Sequence, residues 1–137
     1  MGGREVGGMA NMLAAHMDYS PENIATVAEF WGTDRISQQP GLKAVDLFDA
    51  VADGRIKAIW IMGTNPVVSM PNADRVKAAL ENCDRVIVSD CIAETDTTAT
   101  ANILLPATGW GEKDGTVTNS ERRISRQRAL IEPLGEA

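Results

Sequence analysis

Apolar residues in the middle of this chain alternate between two rhythms, one of helices and one of strands. Leu42, Val45, Leu47, Phe48, Val51 and Ala52 gather on or near one face at helical spacing, which predicts an amphipathic helix over Leu42–Asp53, stopped by Gly54. Ile56, Ala58, Ile59, Trp60, Ile61 and Met62 then form a nearly unbroken apolar run, the pattern of a short strand buried on both faces. Gly63-Thr64-Asn65-Pro66 ends that strand, because Pro66 has no amide hydrogen to donate and restricts the residue before it. Val67–Met70 is expected to continue extended. Pro71-Asn72 opens a helix over Ala73–Asn82, with Val76, Ala79 and Leu80 inward. Arg85–Ser89 reads as a second strand ending in Asp90, Thr95–Ala101 as a helix of small residues, and Asn102–Leu105 as a third strand ending at Pro106. Helices alternating with strands over short joins predict an α/β fold. Its parallel sheet would be flanked by helices on both faces, a Rossmann-like three-layer domain with right-handed crossovers.

The flanks are less regular. Met9, Met12, Leu13 and His16 or Met17 fall at helical spacing and predict a helix over Val6–Met17. Ser20-Pro21-Glu22-Asn23 is a helix start, with Ser as N-cap and Pro at the first helical position, for a helix running to Trp31. Residues 32–41 read as loop. Beyond Glu112 the chain turns polar, with Gly115–Thr118 as a short edge strand. Arg122, Arg123, Arg126 and Arg128 read as a solvated basic strip.

Composition narrows the function. A chain of 137 residues with 44% hydrophobic content is expected to form one domain, 1–137, with a core that needs no disulfides. A formal charge of −6 argues against a nucleic-acid surface. Cys83 and Cys91 lie too far apart for a Cys-x-x-Cys metal pair, and with His16 the only histidine no metal site is expected. The two cysteines read as buried or partly buried thiols in a reducing compartment, and His16 as a surface or packing residue. No membrane span or signal peptide is evident, so a cytoplasmic location is the expectation.

Three predicted strands end in polar loops at Gly63-Thr64-Asn65, Ser89-Asp90 and Ala107-Thr108-Gly109. In a parallel sheet such loops meet along the carboxyl edge, where open α/β sheets bind ligands. Asp90 can accept hydrogen bonds from ribose hydroxyls or from the two N–H donors of a guanine edge. Lys113 can reach a phosphate or a base oxygen as a point charge, and Asn65 offers both a donor and an acceptor. On spacing alone, Asp90 is as readily a turn cap and Lys113 a solvated charge. The residues by themselves describe a nucleotide-shaped crevice of low specificity, with no catalytic residue assigned.

Taken in order, the segments GGREVGGMAN, IWIMGTNPVVSMPN and VIVSDCIAETDTTATANILLPATGWGEKDGTVTNSERRIS resemble the molybdopterin oxidoreductase family. That group includes dimethyl sulfoxide reductase, formate dehydrogenase and the nitrate reductases, and the likeness points to its bacterial assimilatory nitrate reductase branch. The resemblance covers nearly the whole chain. It implies an interior piece of a larger enzyme, one that holds a molybdenum bis(molybdopterin guanine dinucleotide) and an iron–sulfur cluster, the cluster being held outside this chain. The matching piece would be an α/β domain cradling one guanine dinucleotide and packed among neighbouring domains. By position, Gly63, Thr64, Asn65, Ser89, Asp90 and Lys113 would be the cofactor-binding residues, with no metal ligand in this chain. The alternatives are a formate dehydrogenase, or a non-catalytic relative of the large iron–sulfur subunit of NADH–quinone reductase. The electron donor is not legible. One departure is local: family members often have Gly before the second Arg of the Arg-rich stretch, and Arg122 fills that place here.

Overall fold

A computed structural model describes residues 2–137, which divide into two compact units. The first contains the residues up to Lys43 together with Thr116–Arg126. It holds the short helix α1 (Gly2–Glu5), a 3-10 turn at Ala14–His16 and the helix α2 (Pro21–Trp31). Strands β4 (Gly115–Thr118) and β5 (Ile124–Gln127), which pair as a two-stranded sheet, lie almost wholly in this unit. Helix α2 starts as its sequence dictates: Ser20 Oγ accepts the Asn23 amide at 3.4 Å and Pro21 sits in the first turn. Leu13, Val27 and Ile36 form this unit's small core.

The helix expected over Val6–Met17 does not form. The Gly8 amide donates to Gly3 O at 2.6 Å, and a Cβ on Gly8 would lie 2.9 Å from that oxygen. The chain then passes through left-handed conformations at Ala15 (φ 54°) and His16 (φ 63°), which no helix of L-residues sustains. Of the expected Met/Leu stripe only Leu13 is buried, and Met9 is exposed.

The second unit comprises Ala44–Gly115 and Gln127–Ala137. It runs α3 (Ala44–Ala52), β1 (Ala58–Met62), α4 (Pro66–Ser69), α5 (Ala73–Glu81), β2 (Arg85–Asp90), a 3-10 turn at Thr98–Thr100, and β3 (Ile103–Pro106). The strands form a parallel sheet in the order β1-β2-β3, with Ile61 opposite Val88 and Val88 opposite Leu104. The mixed α/β class with a parallel sheet is as expected. Two local expectations are corrected. Val67 and Val68 belong to the single helical turn α4, because Pro66 suits a first helical position better than a strand. The helix over Thr95–Ala101 shrinks to the 3-10 turn at Thr98–Thr100, since Thr side chains there bond their neighbours' backbone.

Phe48, Ile61, Val67, Val76, Leu80, Val86 and Val88 make the core, with α3 and α5 packed on each other over this face of the sheet. The turn at Thr98–Thr100 contacts α5, so both crossovers lie on that face. A sheet whose strands follow chain order places right-handed crossovers on a single side. On the opposite face Trp60 and Met62 of β1 are 55% and 63% exposed, while β3 is exposed on both faces, with Ile103, Leu104 and Leu105 at 45%, 41% and 40%. The apolar run of β1 is therefore buried on one face within this chain. Val68 is exposed, whereas Val67 packs in the core. Cys83 is half-buried with its thiol 3.6 Å from Arg85 O, and Cys91 is exposed, contrary to the expectation of two sheltered thiols.

Candidate functional site at the carboxyl edge of the parallel sheet

The ends of β1 and β2 are fastened together. The Gly63 amide donates to Ser89 O at 2.9 Å, and the chain turns there with Gly63 at φ 60°, a left-handed conformation open to glycine without strain. Trp60, two residues before the end of β1, lays its indole Nε1–H on Ser89 Oγ at 2.9 Å. Ser89 thus receives a hydrogen bond on its hydroxyl oxygen and keeps its own hydrogen to give. Asp90, the last residue of β2, stands opposite Pro106 of β3, and its carbonyl accepts from Ala107 at 3.0 Å. Its Oδ1 caps the following turn by accepting the Ile92 amide at 3.0 Å, while the second carboxylate oxygen remains an acceptor. Parallel pairing therefore brings the Gly63 loop, Ser89-Asp90 and the loop after β3 to one edge, as the sequence predicted.

Asn65 is held from behind. The Thr97 hydroxyl donates to Asn65 Oδ1 at 2.6 Å and accepts the Val67 amide at 3.2 Å. Thr97 is fully buried, and Asn65 is half-buried. Thr64, between Gly63 and Asn65, is exposed. Lys113 follows a 3-10 turn at Trp110–Glu112, where Glu112 ties the turn by accepting the Gly109 amide at 2.6 Å. Its ammonium lies 5.1 Å from the Trp110 ring centroid, a cation–π contact, and among the described residues it forms no ion pair with Asp90. The structure thus joins Gly63, Ser89 and Asp90 directly and adds Asn65 through the same loop. Lys113 is carried by the turn that follows β3.

Sequence reasoning missed Trp60 and Thr97. Trp60 sits in an apolar run that reads as core, and its partner lies across the sheet where spacing does not reveal it. Thr97 had one signal, a run of hydroxyl and acidic residues at Thr95-Asp96-Thr97-Thr98 where a core-packing helix would show apolar side chains.

The donor set fits the nucleotide end of a cofactor. Asn65, Ser89 and Lys113 present donors to phosphate, ribose or carbonyl oxygens, and Asp90 presents an acceptor to N–H or hydroxyl groups. Among the described residues there is no grouping of three or more His, Cys, Asp or Glu side chains suited to a metal.

In the first unit a separate polar cluster ties distant parts of the chain. Glu5 lies 3.2 Å from His16 Nε2 and 3.0 Å from Arg122 Nη2. Hydrogen bonding from His16, then from Arg122, holds its carboxyl below the ordinary value. The Ser20 amide and the Asn23 side chain do the same for Asp18. Arg122 itself sits at φ 64°, the left-handed conformation that a Gly would adopt at that place.

The fold and this edge define an α/β protein with a polar, donor-rich rim at the carboxyl ends of parallel strands, the usual ligand position for that class. Sequence comparison carries the assignment further: the chain belongs to the molybdopterin oxidoreductase family, whose model matches residues 2–137. It is 60% identical over 137 residues to a nitrate reductase of Klebsiella oxytoca. It is 36% identical over 136 residues to the F420-dependent formate dehydrogenase subunit alpha of Methanocaldococcus jannaschii, and 34% over 139 residues to the assimilatory nitrate reductase catalytic subunit of Bacillus subtilis. These matches cover 100%, 99% and 99% of this chain but only 16%, 20% and 19% of the respective relatives. The chain therefore spans less than about a quarter of the length of the curated relatives it matches.

Proposed function

We propose that this chain is the nucleotide-cradling part of a longer molybdenum oxidoreductase that reduces nitrate to nitrite. In this reading it contributes contacts to one molybdopterin guanine dinucleotide through Gly63, Thr64, Asn65, Ser89, Asp90 and Lys113. The observation that carries the reading is the meeting of the Gly63–Asn65 loop with Ser89-Asp90 at the sheet's carboxyl edge, in a chain matched by the family model over residues 2–137. Nitrate is favoured over formate because the relative named nitrate reductase is 60% identical and the one named formate dehydrogenase 36%.

Bound, the molybdenum centre would supply the two-electron chemistry of oxygen-atom transfer. This chain's residues bind and orient the nucleotide. Asn65, Ser89 and Lys113 donate to its oxygens, and Asp90 accepts from ribose or guanine. The metal ligand, the iron–sulfur cluster and the electron-donor site belong to other parts of the longer protein, so the chain alone is inactive. Those parts also complete the three-layer, Rossmann-like arrangement by covering the open sheet face. No helix among the described residues is long and apolar enough to cross a membrane, and a cytoplasmic enzyme is proposed by analogy with the assimilatory relative.

The test is a backbone-amide NMR titration of the chain with GDP and, separately, ADP. The reading expects shifts at Gly63–Asn65, Ser89–Asp90 and Lys113 with GDP and not with ADP. Equal shifts with both nucleotides would remove the guanine assignment. Shifts confined to other residues would remove the site.

A further inference from the structure

We propose that Thr97 is a positioning residue that makes Asn65 a one-way hydrogen-bond donor toward the cofactor; this rests on the function proposed above and deepens it. An asparagine side chain offers both an acceptor oxygen and a donor NH2, and which of them faces a ligand must be settled by its other contacts. Here Thr97 settles it. The Thr97 hydroxyl oxygen accepts the Val67 amide at 3.2 Å, and its hydrogen is directed to Asn65, 2.6 Å away. Thr97 is 0% exposed. If Asn65 were turned over, its NH2 would meet a hydroxyl oxygen already accepting from Val67, and the Thr97 hydrogen would be left in the interior with no acceptor. A buried hydroxyl stranded in that way is strongly disfavoured. Asn65 Oδ1 is therefore held inward.

The consequence is a selection rule. The rim presents the Asn65 NH2, whose oxygen is held inward by Thr97, beside the Ser89 hydroxyl, which accepts from Trp60 and keeps its hydrogen to give. The group that meets Asn65 is an oxygen acceptor of the nucleotide, a phosphate, sugar or carbonyl oxygen, and not an N–H edge. Asp90 is left as the acceptor for the nucleotide's donors. A hydroxyl is required at position 97 because one atom must accept from Val67 and donate to Asn65 at the same time; Ser meets that need, and Val, of similar shape, does not.

The experiment uses the full-length protein, purified with its cofactor, and measures guanine nucleotide released by acid per protein, molybdenum content and melting temperature. Four variants are compared: Thr97→Ser, Thr97→Val, Asn65→Asp and Asn65→Ala. Asn65→Asp separates the ideas, because a carboxylate still accepts from Thr97 but replaces the outward donor with an acceptor. The expected result is nucleotide content within about twofold of wild type for Thr97→Ser. Asn65→Asp should lose at least as much as Asn65→Ala, roughly fivefold or more, with its melting temperature kept. Thr97→Val should lose nucleotide to a similar extent. Full nucleotide retention in Asn65→Asp, with loss in Asn65→Ala, would overturn the donor assignment and leave the function standing. Retention in Thr97→Val with loss in both Asn65 variants would overturn the role of Thr97. Retention in Asn65→Ala would instead strike at the placement of the cofactor. Should Thr97→Val fail to fold, the comparison of Asn65→Asp with Asn65→Ala still decides the donor assignment, and failure of Thr97→Ser to retain nucleotide would still overturn the hydroxyl requirement.

Discussion

Leu80→Ala tests which face of the parallel sheet carries the fold's stability. Leu80 is 1% exposed and lies in the cluster of Phe48, Ile61, Val67, Val76, Val86 and Val88. The substitution removes three carbons, worth about 2.4 kcal/mol at roughly 0.8 kcal/mol per buried methylene. The packed neighbours on α3 and the strands limit collapse into the space, so a residual cavity adds to this, for a total of about 3 to 4 kcal/mol. The control is Met62→Ser on the opposite face, where the side chain is 63% exposed and the change should be within about 0.5 kcal/mol. Equilibrium urea unfolding of the 137-residue chain, followed by far-UV circular dichroism, reads both. With a urea slope near 2 kcal/mol per molar, Leu80→Ala should lower the midpoint by about 1.5 to 2 M and Met62→Ser by at most about 0.25 M. Equal shifts in the two variants would refute the one-sided core, and with it the claim that the Trp60 and Met62 face is open within this chain.

Three further outcomes are expected. In the full-length protein, Asp90→Asn and Lys113→Ala should lower molybdenum content while changing the melting temperature little; normal content and activity in both would remove these residues from the site. Gly63→Ala should destabilise by about 1 to 2 kcal/mol through its left-handed backbone alone, since a Cβ there meets no atom within 4 Å, and urea titration reads the difference. Glu5 and Asp18 have carboxyls held below their ordinary values of 4.5 and 3.8, so what they add to stability is fully present above those values and is lost as pH falls through the lower folded ones. Melting temperatures measured from pH 6 down to 2 should therefore fall less steeply in Glu5→Gln and Asp18→Asn than in wild type, and an unchanged acid limb would contradict both shifts.

Hydrophobic rhythm was a good guide wherever burial alone decided structure. The runs that became α3, β1, α5 and β2 are each dictated by one apolar face or strip, and their order was enough to bring Gly63, Asn65, Ser89 and Asp90 to one edge. That rhythm misleads where backbone geometry outranks side-chain pattern. Met9, Met12 and Leu13 have helical spacing, yet the close approach of Gly8 to Gly3 and the left-handed turn at Ala15 and His16 break the helix. Strand β5 was hidden because Ile124-Ser125-Arg126-Gln127 holds a single apolar residue and shows no alternation; Arg122 just before it reaches left-handed φ without glycine and forms an ion pair with Glu5. At the rim, sequence pointed to polar groups but not to the partners that hold them. Asn65 read from sequence is ambidextrous; only the three-dimensional partnership with Thr97 and Val67 assigns its oxygen inward. For Asn65, then, the polarity it offers is set by a buried partner, Thr97, that no spacing in the sequence reveals.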